Sequence, residues 1–245
     1  LISAMVGIDS RATMDIDTTL RNYPLNCESA EQIVRQIADV EIDDKISFVI
    51  KKTEEIMEDS EYQGVRLSLD AYLDKTRIPL KIDISTGDVI TPCEISFSYQ
   101  LMFENRTIPL LAYPPETVLA EKLETILSRG EANTRLRDFY DVYILQREDF
   151  VVTPDALRYA LLATCRTRGH EDLLHTYASI LDGVRQSDAM RTQWMKYQTD
   201  FDYAAGITWD TVLDTVETLC MKTLDDHAFG DELPQEESQF EMHLL

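Results

Sequence analysis

The stretch Arg11-Ala-Thr-Met-Asp15-Ile-Asp17 decides how this chain is interpreted, because it sets two carboxylates at positions i and i+2 of a segment that reads as a β-strand. Alternate strand residues share a face, so Asp15 and Asp17 point the same way while Met14 and Ile16 pack behind them. Two like charges this close repel each other unless a cation joins them. Mg²⁺ takes oxygen ligands, usually one or two carboxylates together with substrate phosphates. The pattern therefore predicts either a site for a metal-bound nucleotide or, as the simpler alternative, an acidic strand face exposed to solvent.

A second acidic strand strengthens the metal interpretation. In Lys81-Ile-Asp83-Ile-Ser85, isoleucines alternate with polar residues, so Asp83 lies on a polar face. If the two strands are neighbours, this carboxylate joins the first two, and three carboxylates can hold the cations that nucleotidyl transfer requires. Asp83 would then be a metal ligand or the general base for an acceptor hydroxyl. The alternative is an edge-strand carboxylate paired with Lys75 or Arg77.

Strands and helices alternate in the first half of the chain, which predicts an α+β fold. Ser29-Ala-Glu-Gln32 reads as a capping box that opens a helix with Ile33, Ile37 and Val40 on one side. Strand patterns follow at residues 46–51, 65–72 and 78–85, and a hairpin is predicted from the runs 94–103 and 107–112. We therefore expect a twisted mixed sheet that presents carboxylates along one face.

Beyond Pro114 the pattern is helical. One helix is predicted to end at Gly130, a second covers about residues 134–146, and residues 154–224 read as three or four more with aromatic residues in their core. The segment 225–245 holds seven acidic residues and no Lys or Arg, so we expect a flexible tail.

Lys122 lies near the apolar stripe of the first of these helices, so its ammonium group must either reach solvent or meet an anion. A nucleotide phosphate is one such anion, and Asp138 or Asp141 of the next helix is the other. Arg137 and Asp141 lie one turn apart and can form a helix-stabilising ion pair.

The composition limits the classes of function. The 245 residues carry a formal net charge of −22, which argues against a broad, non-specific nucleic-acid surface, since phosphate binding depends on Lys and Arg. The four cysteines have no CxxC spacing, so neither a zinc site nor a disulfide framework is indicated. No apolar run approaches the length of a membrane span and no secretory signal is in view, so we expect a cytoplasmic protein with no membrane partner.

Four segments together resemble the AbiEii/AbiGii toxin family, the nucleotidyltransferase toxins of type IV toxin–antitoxin and abortive-infection systems. The segments are RATMDID (11–17), PLKIDI (79–84) with Gly87-Asp88, ETVLAEKLETILSRG (116–130) and RLRDFYD (135–141). Their order and spacing across roughly residues 1–147 are more specific than any single motif. The resemblance implies a polymerase-β-like nucleotidyltransferase core over residues 1–112, followed by a helical domain over 113–224 and the acidic tail.

The resemblance also implies three sets of site residues, with Mg²⁺ or Mn²⁺ as cofactor and a nucleoside triphosphate as substrate. The metal would be held by three carboxylates: Asp15, Asp17 and Asp83. The catalytic residues would be Asp83, Lys122 and the later acidic motif, Asp138 and Asp141. The nucleotide would contact three basic residues: Arg11, Lys122 and Arg137.

The activity so implied is transfer of a nucleoside monophosphate to RNA, such as a tRNA 3′ end, by the toxin of a phage-defence system with a cognate antitoxin. One alternative is transfer to a small molecule or a protein hydroxyl, and another is a non-catalytic module that binds a partner. Polymerase-β-like enzymes carry a Gly-Gly or Gly-Ser pair before the two carboxylates, whose amides hold the triphosphate. Residues 1–11 lack such a pair, so we expect the chain to continue upstream of Leu1 and to carry the pair there.

Overall fold

The structure is a computed structural model, and the chain forms two compact units, Leu1–Val89 and Ile90–Leu245. It describes residues 1–7, 10–11, 13, 15–42, 44–56, 64–101, 104–147 and 152–225, with the backbone alone for Asp15. The predicted tail therefore lies outside the described residues except for Asp225. The division between the two units falls at residue 89, and the hairpin that follows forms a separate two-stranded sheet. The domain bounds predicted from the sequence, 1–112 and 113–224, stay a prediction.

The first unit is built on a mixed four-stranded sheet, which confirms the predicted α+β class. Its elements are α1 (Ile2–Val6), β1 (Asp15–Thr19), α2 (Cys27–Ala38), β2 (Ile46–Ile56), β3 (Gly64–Leu73) and β4 (Thr76–Ser85). The strand order is β1-β4-β3-β2. Strand β1 runs parallel to β4, whereas the β4–β3 and β3–β2 pairs are antiparallel.

Helix α2 begins earlier than the sequence pattern predicts. The capping box joins Asn26 to Ser29: the Asn26 side chain accepts the Ser29 amide at 2.8 Å, and the Ser29 hydroxyl accepts the Asn26 amide at 3.0 Å. Asparagine is as effective an N-cap as serine and comes first along the chain, so the helix starts at Cys27.

The predicted apolar stripe of α2 is also wrong. The residues that α2 buries are Ala30 and Val34, whereas Ile37 and Val40 are exposed and Ile33 is half-buried. Helix α2 therefore packs on the sheet through Ala30 and Val34, and not through the predicted isoleucines and Val40.

The N-cap of α2 gives a small, measurable contribution to stability. Replacing Asn26 with Ala removes the side-chain acceptor for the Ser29 amide, and we expect the free energy of unfolding to fall by about 1 kcal/mol. Urea denaturation measures this change. The control is Gln36→Ala at an exposed position inside the same helix, where the better helix former should not lower the stability. Equal losses in both variants would contradict the capping role.

One face of the sheet is apolar and the other is polar. The apolar core of this unit joins Ala30 and Val34 to four strand residues, Val65, Leu67, Leu69 and Ile84. Because side chains alternate along a strand, Arg66 and Asp83 face the opposite side. Ile16 belongs to the apolar side but remains 48% exposed, because β1 is an edge strand; its predicted neighbour Met14 lies outside the described residues.

The second unit pairs a hairpin with helices, much as the sequence predicts. Its elements are β5 (Ile95–Gln100), β6 (Thr107–Ala112), α3 (Pro115–Arg129), α4 (Leu136–Leu145), α5 (Pro154–Thr167), α6 (Leu173–Gln186), α7 (Asp188–Asp200) and α8 (Trp209–Leu224). Gly130 ends α3 with a φ of 48°, which favours glycine. The Thr153 side chain caps α5. In the described part of the chain, no helix combines the length and the apolar composition needed to cross a membrane.

Aromatic side chains form much of the core of the helical unit, as predicted. Trp194, Tyr197 and Trp209 are buried, and the Phe139 and Trp209 ring centroids lie 5.0 Å apart. The four cysteines are free thiols.

Two buried thiols make the stability of the protein sensitive to alkaline pH. Burial raises the pKa of Cys165 and of Cys220 from 9.0 to about 12. Between these values the unfolded chain loses thiol protons that the folded protein keeps, so the free energy of unfolding falls as pH rises above about 9. We expect a smaller fall for Cys165→Ala between pH 8 and 10 in urea denaturation. Cys93→Ala is the control, because Cys93 is exposed and its replacement should leave the pH dependence unchanged.

Candidate active site

The carboxylates predicted on two separate strands lie side by side. Strand β1 pairs with β4 in parallel, and Asp17 is the register partner of Asp83. The predicted neighbourhood of the two strands is thus confirmed by the register. Register partners on adjacent strands project from the same face, with their backbones about 4.8 Å apart. Asp15 is the register partner of Lys81, two residues earlier on both strands.

Asp17 and Asp83 differ in their surroundings. Asp17 is exposed at the edge strand, whereas Asp83 is half-buried on the strand beside it. Two carboxylates at this spacing repel each other when both are ionised, and a shared divalent cation removes the repulsion. The pair therefore fits a hard cation with oxygen ligands.

Asp83 already has one positively charged partner. Arg66 of β3 donates two hydrogen bonds to it, from Nε to Oδ1 at 2.7 Å and from Nη2 to Oδ2 at 2.6 Å. The alternative partners suggested by the sequence, Lys75 and Arg77, are wrong. Arg77 instead pairs with the buried carboxylate of Asp70, with Nε 2.9 Å from Oδ1, and this hydrogen bond raises the pKa of Arg77.

The predicted three-carboxylate site stays a prediction. Among the side chains that the structure describes, no three His, Cys, Asp or Glu residues gather as metal ligands. The side chain of Asp15 is not among them, so the trio of Asp15, Asp17 and Asp83 is not tested. The structure shows two of the three residues, Asp17 and Asp83, as register partners on adjacent strands.

Hydroxyl groups extend this polar face beyond the carboxylates. Thr19 follows Asp17 by two residues and donates to Asp88 Oδ2 at 2.8 Å, and Ser85 also donates to Asp88. The Thr19 and Ser85 hydroxyl oxygens lie 3.0 Å apart. This cluster lies at the carboxyl ends of β1 and β4, the two strands that run parallel. The sequence analysis did not single out Thr19 or Ser85, although both occupy the same alternating face as the acids.

Within the helical unit, the Lys122 ammonium group contacts the carboxylates of Asp138 and Asp141, the second of the two kinds of anion predicted for it. Its Nζ donates to Asp138 Oδ1 at 2.6 Å and lies 3.2 Å from Asp141 Oδ2. Both carboxylates are buried, with 1% and 0% of their side chains exposed, and Lys122 is 17% exposed. Arg135 adds an ion pair, with Nε 2.8 Å from Asp138 Oδ2. Contact of Lys122 with a nucleotide phosphate stays a prediction.

The two remaining basic residues have other surroundings. Arg137 lies over the Phe201 ring, 5.6 Å from its centroid, while Asp141, its suggested ion-pair partner, is occupied by Lys122. Arg11 is buried and its Nη1 is 3.5 Å from the Ser3 hydroxyl, to which it donates. Nucleotide contacts of Arg11 and Arg137 stay predictions.

Comparison with known proteins identifies the family. The family model described as "Nucleotidyl transferase AbiEii toxin, Type IV TA system" matches residues 1–215. No curated protein sequence is significantly similar to the chain. One similar solved structure is a crystal structure of a "putative nucleotidyltransferase from H. pylori", at 14% identity and a TM-score of 0.41, covering 89% of this chain and 82% of the other. Because the family model covers most of the chain, the protein belongs to the AbiEii nucleotidyltransferase toxins of type IV toxin–antitoxin systems.

Proposed function

We propose that this nucleotidyltransferase is metal-dependent and transfers a nucleoside monophosphate from a triphosphate to RNA. The observation that carries the proposal is the register of β1 against β4, which sets Asp17 beside Asp83 on one polar face. Asp15 would supply the third metal ligand from the next position on that face of β1. We assign Mg²⁺ or Mn²⁺ as the ion, since both take oxygen ligands.

The bonds exchanged in the proposed reaction are fixed by its chemistry. The acceptor hydroxyl oxygen forms a bond to the α-phosphorus, and the bond from that phosphorus to the oxygen bridging the β-phosphate breaks. Pyrophosphate leaves, and the hydroxyl proton passes to Asp83 or to water. A bound divalent cation would polarise the phosphoryl oxygens and stabilise the charge of the leaving pyrophosphate.

Residues of the helical unit are assigned to the nucleotide on the family resemblance. Lys122 would contact the triphosphate, and Asp138 and Asp141 would hold its ammonium group in position through the contacts described above. Arg11 and Arg137 are the further basic residues that we assign to nucleotide binding.

The acceptor we favour is a tRNA 3′ end, with growth arrest and phage defence as the outcome, a cytoplasmic site of action and a cognate antitoxin. The net charge of −22 favours a second candidate, transfer to a small molecule or to a protein hydroxyl, because an acidic protein attracts polyanionic RNA weakly. A non-catalytic, partner-binding module is the remaining alternative.

The test is to incubate the full chain with each α-labelled nucleoside triphosphate, Mg²⁺ and total RNA. We expect label to enter RNA, to depend on Mg²⁺ and to be released by RNase. Labelled product that survives RNase would favour the small-molecule or protein acceptor. No labelled product with any triphosphate, and no Mg²⁺-dependent nucleotide thermal shift, would overturn the enzymatic proposal.

A further inference from the structure

Arg66 lies on the polar face directly beside the carboxylate pair. It is the antiparallel register partner of Asp83, and β3 is hydrogen-bonded to β4 on one side and to β2 on the other. Strand β3 is therefore the central strand of three, which fixes the backbone position of Arg66. The strand register places the Arg66 side chain beside Asp83.

The contact between Arg66 and Asp83 occupies both carboxylate oxygens. Nε and Nη2 each donate to a different oxygen, which is the strong bidentate geometry of arginine and carboxylate. The side chains are 36% and 20% exposed, so the pair lies at the surface and can be reached by ions and nucleotides. With Arg66 in this position, both oxygens of the Asp83 carboxylate already accept hydrogen bonds from a cationic group.

A divalent cation shared by Asp17 and Asp83 must therefore compete with Arg66. The arginine positive charge also repels any cation bound at Asp83, since the two would be only a few ångströms apart. A triphosphate changes this balance, because its oxygens are a second anionic partner for the planar, five-donor guanidinium.

We propose that Arg66 is a positioning residue that serves as the resident counter-ion of Asp83 and exchanges that carboxylate for the triphosphate when the metal-bound nucleotide arrives. This inference rests on the proposed function. In the absence of metal, Arg66 holds the Asp83 carboxylate in one orientation through two hydrogen bonds. It thereby makes the site a poor binder of free cations and favours cations that arrive with a nucleotide.

The inference predicts opposite changes in two affinities, which a structural role would not produce. In Arg66→Gln, removal of the positive charge should tighten the binding of free Mn²⁺ about tenfold. The same variant should bind the Mn²⁺–nucleotide complex less tightly than the wild type. Electron paramagnetic resonance of free Mn²⁺ measures the first affinity on the full chain, and isothermal titration of the Mn²⁺–nucleotide complex measures the second.

Two further variants make the experiment decisive. Arg77→Gln is the matched control, since it removes the same charge from an arginine that pairs with Asp70 and lies six residues before Asp83 on β4. It should leave both affinities within about twofold. Arg66→Lys keeps the charge but only one point of contact, so free Mn²⁺ should bind less than threefold more tightly. If thermal unfolding shows that Arg66→Gln does not fold, Arg66→Lys carries the test through the second affinity. With one contact in place of a planar fork, it should bind the Mn²⁺–nucleotide complex more weakly than the wild type, and an unchanged affinity there overturns the inference.

The outcomes separate the inference from the function on which it rests. Free Mn²⁺ affinity in Arg66→Gln that is unchanged or weaker overturns the inference, and so does an equal change in Arg77→Gln. If Asp17→Asn then still abolishes Mn²⁺ binding, the proposed metal site stands without it. If wild-type Mn²⁺ binding is absent or insensitive to Asp17→Asn, the proposed metal site fails, and the role of Arg66 fails with it.

Discussion

Asp17→Asn is expected to lower the rate of nucleotidyl transfer about a thousandfold. The amide keeps the size of the side chain but removes the charge that a divalent cation needs, and the Lewis-acid stabilisation lost is several kcal/mol, with each 1.36 kcal/mol worth a factor of ten. Because Asp17 is exposed at an edge strand, the substitution should leave the fold intact. Single-turnover transfer from a labelled triphosphate, at saturating Mg²⁺, measures the effect.

The matched control for this experiment is Asp74→Asn in the same unit. Asp74 lies in the turn between β3 and β4 with a φ of 53°, a conformation that asparagine also tolerates, so only the charge changes. Activity within twofold of the wild type is expected there. If Asp17→Asn kept a tenth or more of the wild-type rate while its thermal midpoint was unchanged, the metal-ligand assignment of Asp17 would have to be abandoned.

Local alternation was enough to predict the strands and the polar face, but not every pairing between them. Strand β4 was expected from its alternating isoleucines, and the position of Asp83 on the polar face follows from that alternation. Its parallel pairing with β1 joins residues 66 positions apart and is set by no local turn. The pattern alone left it open whether the two strands are neighbours. The family resemblance implied that they are, because it assigns carboxylates of both strands to one metal site.

Arg66 was not predicted as a site residue, although the sequence contains a signal for its position. Asp74 and Lys75 form a two-residue turn, and counting back along both strands from Leu73 and Thr76 places Arg66 opposite Asp83. The turn was not recognised because Asp-Lys is not one of the Asn-Gly or Asp-Gly pairs that mark tight hairpins. With the turn assigned, the ion pair follows from the register.

The contact of Lys122 with two carboxylates could be anticipated only in part. Asp138 and Asp141 lie at i and i+3 of α4, so they share a face and both can reach one cation from a neighbouring helix. Whether Lys122 or Arg137 is the partner of Asp141 depends on how α3 packs against α4. The spacing of residues within one helix gives no information about that packing. In the structure Lys122 reaches both buried carboxylates, whereas Arg137 lies over the Phe201 ring.

Lys122→Met is expected to lower the free energy of unfolding by about 3 kcal/mol. Removal of the ammonium group leaves the carboxylates of Asp138 and Asp141 buried without their shared partner, and breaking a buried ion pair from one side costs several kcal/mol. Arg135 still pairs with Asp138, which places the expected loss at the lower end of that range. Urea denaturation of the full chain measures the change. Lys222→Met, at an exposed position in α8, is the control and should change the stability by less than 0.5 kcal/mol.

A triple variant separates the structural role of Lys122 from its proposed nucleotide contact. In Lys122→Met combined with Asp138→Asn and Asp141→Asn, the buried charges that Lys122 compensated are gone, so most of the lost stability should return. If Lys122 also binds the triphosphate, the stable triple variant should still bind the nucleotide at least tenfold more weakly than the wild type in isothermal titration. Nucleotide affinity that recovers together with stability would show that Lys122 acts only by neutralising two buried carboxylates. A triple variant as unstable as Lys122→Met alone would instead show that the three side chains do not form one electrostatic unit.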